Sequence, residues 1–400
     1  MNSPVESSTV PKNIVCRQRM ISSNNEQKNL DIEVLRAYAI IITFVAHLGR
    51  LNPAWYKWTT YFWLGGGVDL FFCISGYLIT SSLLKAANQQ VSFLYFAGSF
   101  WIRRLFRLWP AAILWATIAL ATSFTFDISR TFNSQENMIN SWLFGMLNIQ
   151  NLYIWSVGSS VHSTPLWHYW SLSLEEQFYL LLPITLFLVT NRKLLIIPFL
   201  AAAIYQSLQI RPWGTLLWFV RSDALLYGTL IALIWHYYPR QISLFFSGNK
   251  KTLLQIALLI CIPLPIITAK ISWSPYYMGL VAITSSLVVL LCSANINLTG
   301  PNGKLRKFAI YIGSRSYSIY LVHNPILAIV REAFIESGYT DLTQELHRIV
   351  AAAVALILTG LFAETSYRLV ETPLRAYGVR VSKERLKRPI TPPAPSGDYK

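Results

Sequence analysis

Long apolar runs alternate with short polar, mostly basic connectors along this chain. Ten runs stand out, at 34–51, 61–84, 101–124, 170–189, 194–209, 215–236, 252–269, 275–294, 308–330 and 349–369. Most are close to the ~20 residues that cross a bilayer as a helix. The pattern predicts an all-α, polytopic integral membrane protein with about ten transmembrane helices. A further apolar piece, 142–155, is short and broken by Asn148, Gln150 and Asn151, which places it in an outside loop or re-entrant segment. The polar first thirty residues end without a small-residue cleavage site, so they read as a tail, with the first span as an uncleaved insertion signal. Beyond Arg380 the chain is charged and then Pro-rich (PITPPAPSGDYK), which reads as disordered. The expected division is a cytoplasmic tail over 1–30, a membrane domain over 31–377 and a second cytoplasmic tail over 378–400. No repeat relates the two halves.

Composition agrees. Of 400 residues 54% are hydrophobic and 13% charged, against roughly 25% charged in a soluble domain. The net charge of +16 raises nucleic acid as a partner, but the placement of the charge argues against it. With the N-terminus inside, segments holding Lys12, Arg17, Arg19, Lys28, Lys85, Arg103, Arg104, Arg107, Arg192, Lys193, Arg240, Lys250, Lys251, Lys304, Arg306, Lys307 and the basic tail from Arg368 face the cytoplasm. Only Arg50, Lys57, Arg130, Arg211, Lys270, Arg331 and Arg348 face outward, a bias of about three to one that follows the positive-inside rule. An even number of spans leaves both termini in the cytoplasm. The four cysteines form no CxxC pair, so neither a disulfide framework nor a zinc site is expected, and nothing calls for a metal.

Five stretches carry ionisable groups inside or beside apolar runs, where such groups are costly and commonly functional. In LRAYAIIITFVAH, Arg36 and His47 are eleven residues apart, about three turns and roughly 16 Å on one helix face. A snorkelling arginine and a helix-capping histidine would explain each alone. In GGGVDLFFCISGYLIT, Gly65, Asp69, Cys73 and Gly76 share a small-residue face, with Ser75 beside it. Packing accounts for the glycines, but the Asp69 carboxylate needs a partner. In WIRRLFRLWP, Arg103, Arg104 and Arg107 lie within about one turn; lipid headgroups and phosphate recognition both suit them. In HYWSLSLEEQFY, His168, Ser171, Glu175 and Tyr179 line one face and Glu176 the next, a polar cavity or a helix-dipole preference. In SRSYSIYLVHNP, Ser316, Tyr320 and His323 share a face, and Pro325 is expected to kink the helix. Arg221 and Asp223 read as a simple ion pair.

Together the five stretches resemble the acyltransferase-3 family of integral-membrane acyltransferases. The family's D-x-[DE]-G-L-R…H stands here as DIEVLRAYAIIITFVAH, G-V-D-x-F-F-x-x-S-G-[FY] as GVDLFFCISGY, R-x-x-R as Arg104 and Arg107, H-x-W-S-L-x-x-E-E-Q-F-Y as HYWSLSLEEQFY and S-Y-S-x-Y-L-x-H as SYSIYLVH. Val34 replaces a usual glycine, and Asn324 a common aromatic. The resemblance implies an O-acyltransferase of the bacterial cytoplasmic (inner) membrane, a stand-alone module without a C-terminal SGNH domain. It implies an acyl-CoA co-substrate, most often acetyl-CoA, with no tightly bound cofactor. The implied acceptor is a glycan or lipid-linked saccharide such as O-antigen lipopolysaccharide. Under it His47 is the base or acyl carrier, Glu175 orients a histidine or accepts a proton, and His168 assists. Arg36, Arg103, Arg104 and Arg107 bind the donor. Asp69, Ser75, Ser171, Glu176, Ser316, Tyr320 and His323 support the site. The competing reading is a proton-coupled transporter or flippase of a glycan or lipid, in which the same groups form a proton relay.

Overall fold

The computed structural model describes residues 28–51, 55, 62–87, 92–158, 164–248, 250–268, 275–339 and 344–387. The described residues are helical and contain no strand. In chain order the main helices are α1 Leu30–His47, α2 Gly66–Ala87, α3 Phe93–Thr125, α4 Gln135–Met146, α5 Gln150–Val157, α6 Tyr169–Leu188, α7 Ile196–Ser207, α8 Asp223–Tyr237, α9 Pro239–Phe246, α10 Lys251–Cys261, α11 Tyr277–Ser293, α12 Lys304–Ser314, α13 Ser316–Glu336, α14 Glu345–Ser366 and α15 Thr372–Lys387. This is a polytopic membrane protein. Among the described residues six helices are long and apolar enough to cross a bilayer, and a seventh span arises if the sharply bent pair Pro239–Phe246 and Lys251–Ile267 counts as one.

The ten-run reading therefore divides. Glu175 and Glu176 dilute the apolar character of α6, α7 is twelve residues long, and α11 is seventeen. The piece over 142–155 belongs to two short helices, α4 and α5, which meet at Asn148 in a left-handed conformation with φ 55°. Helix α13 runs through Pro325 without a break. Helix α15 continues past residue 377 to Lys387 and packs Tyr377 against Phe106 of α3. Residues 1–27 and 388–400, which carry most of the two expected tails, lie outside the described residues.

Two devices fix the frame around the site. Helices α2 and α8 cross at a reciprocal pair of glycines. A Cβ on Gly76 would collide with the Leu225 carbonyl, and one on Gly228 with the Cys73 carbonyl, so only glycine permits this approach. The second device is Asp31, which is buried at the start of α1. It accepts from the Leu298 and Thr299 amides at 3.1 and 3.2 Å and pairs with Arg306 at 3.1 Å. Asn29 caps α1 by accepting from the Ile32 amide at 3.1 Å.

Candidate active site

The five motifs converge on two cavities in the middle of the bundle. The first, the arginine pocket, is about 100 Å³ and is enclosed by α1, α2, α3, α6 and α13. Arg36, Arg104, Arg107, Glu175, Ser171 and Ser316 give it its polar lining. Arg36 pairs with Glu33 one turn earlier, at 3.4 Å. Arg104 and Arg107 make no ion pair within 4.0 Å among the described residues. Arg104 lies over the Tyr179 ring at 5.4 Å, and Arg107 Nε and Ser316 Oγ are buried without a hydrogen-bond partner. Buried donors left unmatched cost about 1–3 kcal/mol each, which marks a place built for an incoming acceptor of hydrogen bonds. Glu175 accepts from Tyr179 Oη at 2.7 Å and from Ser75 Oγ at 3.2 Å.

The second, the histidine cavity, is about 630 Å³. It opens at the other end of α1, where His47 and Arg50 line it, together with His168, Arg221, Arg331 and a group of tryptophans. His47 and His168 line it, and His323 packs against both. His323 is fully buried, and its Nδ1 lies 2.7 Å from the Tyr320 carbonyl. A carbonyl only accepts, so that nitrogen carries the proton and His323 Nε2 is left with a lone pair. Nε2 lies 3.0 Å from His47 Nδ1, which must then be the donor. The chain of two hydrogen bonds thus fixes the neutral His47 tautomer with its lone pair on Nε2. The same logic holds at His168, whose Nδ1 donates to the Pro165 carbonyl at 3.0 Å and whose buried Nε2 has no partner.

Tyr320 and Val68 line both cavities and form the wall between them. The Tyr320 hydroxyl donates to the His168 carbonyl at 2.9 Å and lies 2.5 Å from Ser171 Oγ, which locks the ring in place.

The structure sorts the expected site residues. His47, His168, His323 and Tyr320 come together, as do Arg36, Arg104, Arg107, Ser75, Ser171, Glu175 and Ser316. Arg103 does not join them: it turns toward α15 and Ser382, 3.4 Å away, because one helical step swings it off the pocket face. Glu175 makes no hydrogen bond to a histidine; it belongs to the arginine pocket. Glu176 lines a smaller groove with Trp109 and Tyr317. Asp69 lines neither cavity. It finds its partner in Arg221, at 2.9 and 3.1 Å, and so corrects the expected Arg221–Asp223 pair. Asp223 is held instead by Arg211, at 2.6 Å. Arg221 is clamped between Trp170 and Trp218, its guanidinium 4.6 and 4.2 Å from the two rings. Sequence reasoning missed Arg50, Arg130, Arg331 and the tryptophans of the histidine cavity. The signal was present: these arginines are exceptions to the charge asymmetry of the connectors. Among the described residues no group of histidine, cysteine, aspartate or glutamate is arranged to hold a metal ion.

The described residues thus form a helical membrane bundle with an arginine pocket and a histidine cavity that meet at Tyr320 and Val68. Residues 29–364 match the Acyltransferase domain family (acyltransferase-3), and the chain belongs to that family. A protein of Staphylococcus aureus (strain COL) designated a candidate O-acetyltransferase is 28% identical over 381 residues, covering 87% of this chain and 58% of the relative. O-acetyltransferase OatA of S. aureus (strain NCTC 8325 / PS 47) is 26% identical over 388 residues, with 87% and 57% coverage. The chain thus spans somewhat over half the length of these relatives. No solved structure matches.

Proposed function

We propose that the protein is a membrane O-acyltransferase of a bacterial cytoplasmic membrane. In this reading it moves an acyl group, acetyl by preference, from acyl-CoA to a hydroxyl of a glycan or lipid-linked saccharide. The observation that carries the reading is the juxtaposition across Tyr320: guanidinium groups on one side, an imidazole with a fixed lone pair on the other. Arg104 and Arg107 suit CoA phosphates, because each fork donates paired hydrogen bonds to oxygens. The charge asymmetry of the connectors supports a cytoplasmic arginine pocket, where acyl-CoA is made. The pocket is narrow, which suits the pantetheine arm and leaves the nucleotide at the mouth.

The acceptor occupies the histidine cavity. His47 Nε2 takes the proton of the acceptor hydroxyl as its oxygen attacks the thioester carbonyl. The tetrahedral intermediate collapses with cleavage of the C–S bond, and the proton on His47 passes to the departing CoA thiolate. His323 acts as a positioning residue, because it accepts from His47 Nδ1 throughout. The test is incubation of the purified protein in nanodiscs with labelled acetyl-CoA and a glycan acceptor. Acceptor-dependent CoA release with label in the glycan is expected; movement of glycan or lipid across the bilayer with acetyl-CoA intact would establish the transporter reading instead.

A further inference from the structure

The lining of the histidine cavity is basic and aromatic at once. Arg50, Arg130, Arg221 and Arg331 contribute to it, and among the described residues its lining contains no aspartate or glutamate. The charge of Arg221 is offset from behind by Asp69. Arg331 donates only to a neutral group, the Arg50 carbonyl at 3.4 Å. Among the described residues neither Arg130 nor Arg331 has a carboxylate within 4.0 Å. Glu332 accepts from the Ser129 amide at 2.7 Å, and Asp127 accepts from the Phe132 amide at 3.1 Å while feeling the charge of Arg130 from beyond ion-pair distance. Trp167, Trp213 and Trp218, which also line the cavity, form a stepped aromatic wall, with centroids 5.8 Å and 4.3 Å apart in succession. Trp167 stands with its ring 6.1 Å from His47.

We infer that the acceptor held in this cavity is an anionic saccharide, carrying a carboxylate or phosphate group. A neutral sugar needs the indole faces and a few neutral hydrogen-bond partners. It gives no compensation for two guanidinium groups with no carboxylate beside them. An anionic group supplies charge-assisted hydrogen bonds to Arg130 and Arg331. With that group anchored at the rim and a sugar ring on the tryptophans, a ring hydroxyl falls toward His47. The cavity volume lies within the range of about 300–1,000 Å³ usual for ligand sites. This inference rests on the proposed acceptor role of the cavity.

The test is binding, without acyl-CoA, to the full chain in phosphatidylcholine nanodiscs. The tryptophan wall gives a fluorescence readout. The probes are trigalacturonate, its carboxyl-reduced neutral counterpart, and glucose 1-phosphate. Trigalacturonate or the sugar phosphate should bind about tenfold or more tighter than the neutral trisaccharide, and added salt should narrow the gap. Which of the two wins identifies carboxylate or phosphate, and either supports the proposal. In Arg130→Gln/Arg331→Gln the anionic probe should fall to the neutral one's affinity while acetyl-CoA affinity stays unchanged, which shows the variant folded. Equal binding of charged and neutral probes, or an unchanged preference in the variant, overturns the proposal. Charge-dependent binding in a protein that never releases CoA would reject the transferase reading and, with it, the acceptor role, leaving only an anionic-saccharide site. Acyl transfer to neutral and anionic acceptors alike would do the reverse.

Discussion

The arginine pocket and the histidine cavity are neighbours with one wall in common, yet they handle charge and space in opposite ways. The pocket is about 100 Å³ and sets guanidinium groups beside a carboxylate, Glu175, that is itself held by Tyr179 and Ser75. The cavity is about 630 Å³, has tryptophan faces, and has arginines without a lining carboxylate. A narrow slot with an excess of guanidinium groups suits a thread-like ligand whose negative charge sits at one end. A wide aromatic chamber suits a bulky polyhydroxylated one. The contrast supports the proposal that donor and acceptor sit on opposite sides of Tyr320. It also explains why Arg36 and His47 share a helix: one helix face, about three turns long, reaches both.

The largest effect expected from breaking this arrangement is at His47. His47→Ala should lower turnover at saturating donor by on the order of 10²–10⁴, with acetyl-CoA affinity unchanged, as measured by stopped-flow CoA release and equilibrium binding. A variant within roughly threefold of the parent would remove His47 from the chemistry, since a base contributes more than that. Next in size is Arg104→Ala/Arg107→Ala. Each charge-assisted hydrogen bond contributes about 1.5–3 kcal/mol, so donor affinity should fall on the order of 10²-fold while binding of the anionic sugar probe is retained. Unchanged donor affinity would leave these arginines to lipid headgroups. The smallest effect is at the wall. Tyr320→Ala removes the bonds to His168 and Ser171 and joins the two cavities. Water then reaches the thioester, and CoA release without acceptor should rise severalfold over the parent. No rise would mean that Tyr320 does not separate the two spaces.

Much of this was legible in the chain, for reasons that differ from residue to residue. Helical periodicity within one helix placed Arg36 with His47, and Ser316 with Tyr320, because 3.6 residues per turn is a local rule. It also showed that Asp69 needed a partner. It could not say which one, since the choice between Arg221 and Arg211 depends on how α2 meets α8 at Gly76 and Gly228. The family resemblance offers Glu175 either as the group that orients a histidine or as a proton acceptor. The structure turns its carboxylate to Tyr179 and the arginine pocket. The His47–His323 bond joins residues 276 apart in sequence, beyond any periodicity. The number of spans was the least legible feature, because short and acid-diluted helices such as α6, α7 and α11 satisfy an apolar window without satisfying the length and polarity of a free-standing span.

The assignment of donor and acceptor to the two sides of Tyr320 is tested most directly by a structure of the full chain in nanodiscs with a non-hydrolysable acetyl-CoA thioether analogue. The account predicts phosphate density at Arg104 and Arg107, with the pantetheine arm threading the arginine pocket and the acyl end at Tyr320, facing His47. Phosphate density at Arg130 and Arg331 in the histidine cavity would contradict it, because the larger chamber would then be the donor site.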